Sequence, residues 1–166
     1  MTMKPILHSF AYALGFLREQ VAGVSETDMV KQPNGIRNHP AWVIGHLTVV
    51  CEAIGGAIGL PPWLPEEWAT RFGTGSVPIA DASAYDTKEN ALARLRDAQG
   101  RITRAVAELD ESRLDEPFPD PAYHDVFPTI RHALTQILAG HPAFHVGQLS
   151  VWRKAMRLPP MPRTFE

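Results

Sequence analysis

KPILHSFAYALGFLREQVA, Lys4 to Ala22, decides the fold class. Leu7, Leu14 and Val21 recur at intervals of seven, and so do Phe10, Leu17 and Val24. Two interleaved sevens form the a/d stripe of an amphipathic helix, which needs other helices to cover it. Ser25 and the Pro33 to Gly35 stretch then break the pattern. The same arithmetic recurs at Ala91, Ala98 and Ala105 with Leu95, Ile102 and Leu109, and predicts a helix ending near Leu109. Asp86 with Glu89 three places on supplies a capping-box-like start for it.

Two further helices are predicted. One starts at Pro40, a residue whose missing N–H costs nothing in a first turn, with Asn38 or His39 as cap. It runs to about Gly59, with Trp42, His46, Val49 and Ala53 facing inward and Gly55, Gly56 and Gly59 allowing close approach near its end. The other spans Thr129 to Met156, with Ile130, Leu134, Ile137, His141, Phe144, Gln148 and Val151 along its stripe. Pro142 cannot donate to the carbonyl of Leu138, so a bend is expected there. The helix remains single unless Gly140 leaves the helical region. Between these elements Leu60 to Ala84 is Pro- and Gly-rich, with one helical turn expected around Glu66 to Arg71. Asp110 to Pro128 carries four prolines and reads as loop. No stretch makes a convincing strand. The expectation is an all-α, four-helix bundle filling residues 1–166 as one domain, with a long connection between helices two and three.

Composition narrows the function. The chain has 166 residues, 45% hydrophobic and 20% charged, with a net charge of −2. That balance gives no electrostatic footprint for nucleic acid or an anionic membrane. No apolar run is read as long enough to span a bilayer, and the N-terminus lacks a signal-peptide pattern. One cysteine, Cys51, excludes an internal disulfide and fits a reducing compartment, so a cytoplasmic protein is expected.

Two nonapeptides carry the chemistry: HPAWVIGHL, His39 to Leu47, and HPAFHVGQL, His141 to Leu149. Their helices do not otherwise echo each other, so they read as two halves of one site. His46, His141 and Gln148 fall on predicted seams, and His145 lies one turn from His141. Imidazoles at i and i+4 stand one above the other, about 6 Å apart along the helix. A single buried histidine is more often a hydrogen-bonded core residue than a ligand. Three on an otherwise apolar seam are costly without a partner. Three neutral imidazoles with an open fourth position match a catalytic zinc-type site.

Other patterns are excluded. Pro142 stands where HExxH needs Glu, the seams carry no carboxylates for a di-iron centre, and no GxGxxG, P-loop or GxSxG occurs. Cys51 reads as a small core residue. His39 reads as a cap or pocket-mouth residue, and His8, His124 and His132 lack matching partners.

NHPAWVIGHL, FPTIRHAL and HPAFHVGQLSVWRKAMRLPP, in this order over nearly the whole chain, resemble the DinB-like superfamily. The resemblance implies a four-helix bundle with a divalent metal, zinc or nickel, held by His46, His141 and His145. It also implies a small-molecule substrate, a low-molecular-weight thiol as co-substrate in a transferase or isomerase reaction, and a homodimer. Relatives of this kind include mycothiol- and bacillithiol-dependent enzymes. Gln148 would orient a ligand or the nucleophile. IGGAIGL, Ile54 to Leu60, would supply an apolar face to a second copy. A metal-dependent hydrolase and a non-catalytic metal-binding bundle are the alternatives. The sequence assigns no general base. Trp63, Trp68 and Phe72 could wall the pocket or simply pack against the bundle end.

Overall fold

The computed structural model describes residues 2–161. Six α-helices carry them: α1 Lys4–Ala22, α2 Pro40–Ala57, α3 Glu67–Phe72, α4 Lys88–Glu108, α5 Ile130–Thr135 and α6 His141–Ala155. A π-helical turn, Gln136–Gly140, joins α5 to α6. Among the described residues there is no strand, and one isolated bridge pairs Pro117 with Thr129. The fold is all-α. α4 packs on α2 and α1, while α6 packs on α1 and α2. Leu14, Leu17, Ile44, Leu95, Ile102, Leu138 and Trp152 fill the space between them and are fully buried.

Local chemistry sets the helix starts. His39 caps α2: its Nδ1 accepts the Trp42 N–H at 3.3 Å, and its Nε2 donates to the Ile79 carbonyl at 3.0 Å. α4 is capped by Thr87, whose hydroxyl accepts the Asn90 N–H at 3.3 Å. The expected Asp86–Glu89 box is therefore not formed, and Asp86 instead pairs with Arg94 at 2.9 Å. The helical turn expected near Glu66 is α3, which buries Trp68 and Phe72.

α2 differs from its sequence reading in two ways. It is buried nearly all round; of the expected inward residues Trp42 and His46 are buried, whereas Val49 is half-buried and Ala53 exposed, so only the first half of the stripe faces inward. By length and hydropathy it is also apolar enough to cross a bilayer, contrary to expectation, although 72% of that span is buried inside the fold. Gly55 does admit a close neighbour: a β-carbon there would stand 3.0 Å from the Trp63 ring. Cys51 is buried at 3% exposure, and burial pushes its thiol up to about 12.

Around Pro142 the chain solves a hydrogen-bond problem. Gly140 stays helical at φ −69° and ψ −49°, so the helix does not break. The His141 N–H reaches back five residues to the Gln136 carbonyl, closing the π turn. A π turn inserts one residue into the helical phase. The buried face of α6 is accordingly Pro142, His145, Leu149 and Trp152. Each stands one position later than the sequence stripe of His141, Phe144, Gln148 and Val151. Phe144 and Val151, expected inside, are 62% and 59% exposed.

Candidate metal centre

α2 brings His46 to the site, and the start of α6 brings His141 and His145. Their nearest side-chain nitrogens all lie within 4.8 Å of one another. The Nε2 of His141 stands 3.2 Å from that of His46 and 3.1 Å from that of His145. His46 and His145 are 4% and 3% exposed, whereas His141 is half-buried.

The outer nitrogens fix the inner ones. The Phe72 carbonyl can only accept, so His46 donates through Nδ1–H at 2.7 Å and keeps a lone pair on Nε2. Gln148 Oε1 accepts from His145 Nδ1–H at 2.9 Å and from Asn38 Nδ2 at 3.1 Å. His145 likewise keeps its Nε2 lone pair. Trp42 stacks on His46 with ring centres 4.7 Å apart and planes 10° from parallel, which holds the ring's tilt.

His141 has no such support. Its Nδ1 is buried without a hydrogen-bond partner among the described residues. Its Nε2 can carry at most one proton, which can satisfy one neighbouring lone pair and not both. At least one of the two short contacts therefore sets lone pair against lone pair. A cation among the three nitrogens removes that conflict. With metal–nitrogen bonds of about 2.0–2.1 Å, ligand nitrogens stand about 3.3 Å apart at a tetrahedral ion and about 3.0 Å at an octahedral one. The observed 3.1 and 3.2 Å lie between these values, so the residues fit a divalent metal.

A proton is a poor substitute for that cation. Burial first, then the neighbouring rings, drives His145 down to about 3 and His141 to about 4. Burial also lowers His46, against the opposing pull of the Phe72 carbonyl. Unfolded histidine titrates near 6.5. Below that value the unfolded chain binds more protons than the folded one. The metal-free protein thus has this contribution in full above about pH 6.5 and loses it as pH falls towards the folded values. Urea unfolding of metal-stripped protein should show a lower midpoint at about pH 5 than at about pH 7.5, and His145→Gln should flatten the difference. Equal midpoints in the unmutated protein would contradict the assignment of three neutral rings.

Of the remaining sequence candidates, Gln148 is joined to the centre through His145. His39 serves as the α2 cap. His8, His124 and His132 are exposed and outside the cluster. Sequence reading missed three supports: the Phe72 carbonyl, Asn38 and the Trp42 ring. Asn38 and Trp42 sit inside the NHPAWVIGHL stretch, but a backbone oxygen supplied by the end of α3 leaves no residue-type signal. Gln148→Ala should weaken divalent-metal affinity about 10- to 100-fold while leaving the helical circular dichroism unchanged. Unchanged affinity in a chelator competition would show that His145 is aimed by packing alone.

An all-helical chain with three converging imidazoles describes a class of helical protein compatible with metal binding. The sequence model of the DinB superfamily matches residues 13–149, and the chain belongs to that superfamily. No curated protein matches it significantly.

Proposed function

We propose that His46, His141 and His145 hold one divalent metal, zinc or nickel, through their Nε2 atoms, with at least one position left for a small molecule. The four long helical segments would form the bundle that carries it. The observation behind this reading is the unresolved lone-pair conflict at the His141 Nε2, which stands 3.2 Å from that of His46 and 3.1 Å from that of His145, two rings fixed by the Phe72 carbonyl and Gln148. Bound there, the metal would lower the pKa of a thiol or a water and yield a nucleophile at neutral pH. The chain's own contribution is orientation. Phe72 and Trp42 fix the His46 ring, and Asn38 holds Gln148, which fixes that of His145. Among the described residues the metal-type cluster contains no carboxylate, so proton removal would fall to the incoming molecule or to solvent.

Superfamily membership supports a thiol-dependent transferase or isomerase as the leading reaction. A hydrolase acting on an uncharged ester or amide is the second reading. It is favoured by the absence of Lys or Arg from the lining of an apolar cleft that includes Val50, one helical turn along α2 from His46. The test begins with elemental analysis of purified protein, expected to show about one equivalent of divalent metal. Turnover of electrophiles and esters is then measured with and without low-molecular-weight thiols. Thiol-dependent turnover supports the first reading, thiol-independent hydrolysis the second. Absence of bound metal after reconstitution with zinc and nickel sinks both.

A further inference from the structure

Residues 117–128 leave the helical framework and return to it. The Phe118 N–H bonds to the Pro128 carbonyl at 3.4 Å, and the Ile130 N–H to that of Glu116 at 3.0 Å, so the ends of the excursion are clasped. His124 Nε2 donates to the Phe118 carbonyl at 2.7 Å across its interior. This is a compact Ω-like loop, a form often used for binding. It carries a cluster of three rings. Phe118 meets Phe127 at 5.5 Å, and Tyr123 lies nearly parallel to Phe127 at 6.2 Å. Tyr123 is nonetheless 50% exposed.

The rings form one wall of a cleft of about 430 Å³. The opposite wall includes Val50, Ala53 and Ala57 of α2 and Ile137 of the π turn. These positions extend the histidine face. Val50, Ala53 and Ala57 follow His46 at i+4, i+7 and i+11, and Ile137 precedes His141 by four residues. The cleft therefore begins about one helical turn, roughly 6 Å of rise, from two of the three histidines. Thr74, two residues beyond the Phe72 carbonyl that orients His46, also lines it. Asp120 is the one charged side chain in its lining.

We infer that this cleft binds the body of an uncharged, aromatic small molecule and presents its reactive end to the three histidines. The inference rests on the proposed chemistry at those histidines and names the substrate class. The volume falls in the range of small-molecule sites, and such sites are largely apolar with few polar groups. Stacked and edge-on rings favour a flat aromatic body over a branched aliphatic one. Asp120, without a basic residue beside it in the lining, disfavours an anion.

The test uses 2-naphthol as neutral probe and 2-naphthoate as its anionic counterpart, titrated by ligand-observed NMR into the full chain. Both metal-stripped and metal-loaded protein are measured. 2-Naphthol should bind both forms, at least about tenfold more tightly than 2-naphthoate. Ala53→Trp, at an exposed helix position where the fold tolerates bulk, should weaken naphthol binding about tenfold or more by filling the cleft. Asp120→Asn should selectively improve naphthoate binding. Its amide oxygen can still accept the Ala122 N–H that Asp120 now receives at 3.0 Å. Equal binding of the two probes, or naphthol binding unaffected by Ala53→Trp, overturns the inference. Because the cleft is read in metal-stripped protein, its failure is separate from failure of the metal proposal, which is read by metal content.

Discussion

His145→Ala should reduce divalent-metal affinity by more than about 100-fold, because removing a ligand exceeds the 10- to 100-fold cost of losing a group that merely orients one. His145 is the ring most completely tied into the centre. It is 3% exposed, its Nε2 is 3.1 Å from that of His141, and its Nδ1 is held by Gln148. The two rings left behind cannot enclose an ion from three sides. The proper comparison is metal-stripped wild type, since the variant also loses a buried ring. Metal content after purification and a chelator competition measure the effect, with circular dichroism confirming the helices. His124→Ala and His132→Ala should retain full metal, because both rings are exposed and bonded elsewhere, to the Phe118 carbonyl and the Thr129 hydroxyl. His39→Ala should lose an N-cap, about 0.5–2 kcal/mol of stability, and keep the metal. Full metal retention in His145→Ala would remove the basis of the proposed function.

How far the fold could be read in advance depended on contrast between helix faces. α1 and α4 were readable almost to the residue because their stripes alternate with charged and polar faces. The expected Lys4 to Ala22 is α1, and four of the six expected α4 stripe residues, Ala91, Leu95, Ala98 and Ile102, are buried. α2 has little such contrast. Its sequence is apolar almost all round, so no stripe stands out, and Ala53, expected inward, is exposed while Ile54 is buried. α6 had contrast but the wrong phase. A regular α period continued through Pro142 gives His141, Phe144, Gln148 and Val151, whereas the π turn at Gln136–Gly140 advances each of these buried positions by one. Proline announced a disturbance there, and only the hydrogen bonding of the folded chain decides between a bend, a break and an inserted residue.

The candidate site was readable for a different reason. Histidines at i and i+4 converge under modest changes of helical phase, so His141 and His145 stay together even though the stripe around them shifts. The supports were less visible. Asn38, a cap candidate by sequence, instead holds Gln148, while His39 takes the cap. The Phe72 carbonyl comes from α3, inside a Pro- and Gly-rich connection whose path no local pattern specifies. The echo between the two nonapeptides also has unequal halves. Gly147, in HVGQL, has open space where a β-carbon would stand. Gly45, in VIGHL, lies against the Phe72 ring.

That contact makes Gly45→Ala a test of how α2 and α3 jointly aim His46. A β-carbon on Gly45 would stand 2.4 Å from two carbons of the Phe72 ring, closer than any tolerable contact. Phe72 has little room to retreat. It is 3% exposed, with the rings of Trp68 at 4.9 Å and Tyr85 at 5.9 Å. The expected cost of overpacking is about 1–3 kcal/mol, set against the gain of up to about 1 kcal/mol that alanine normally brings to a helix interior. The chain must relieve the clash by moving α3, and α3 ends on the carbonyl that accepts the His46 proton at 2.7 Å. Metal affinity should therefore fall about 10- to 100-fold together with stability, although no ligand is touched. Gly56→Ala on the same helix meets nothing within 4 Å and should be neutral or stabilising with unchanged metal affinity. Urea midpoints and chelator competition on the two variants separate the effects. A Gly45→Ala protein as stable and as metal-avid as Gly56→Ala would mean that the Phe72 carbonyl does not position His46.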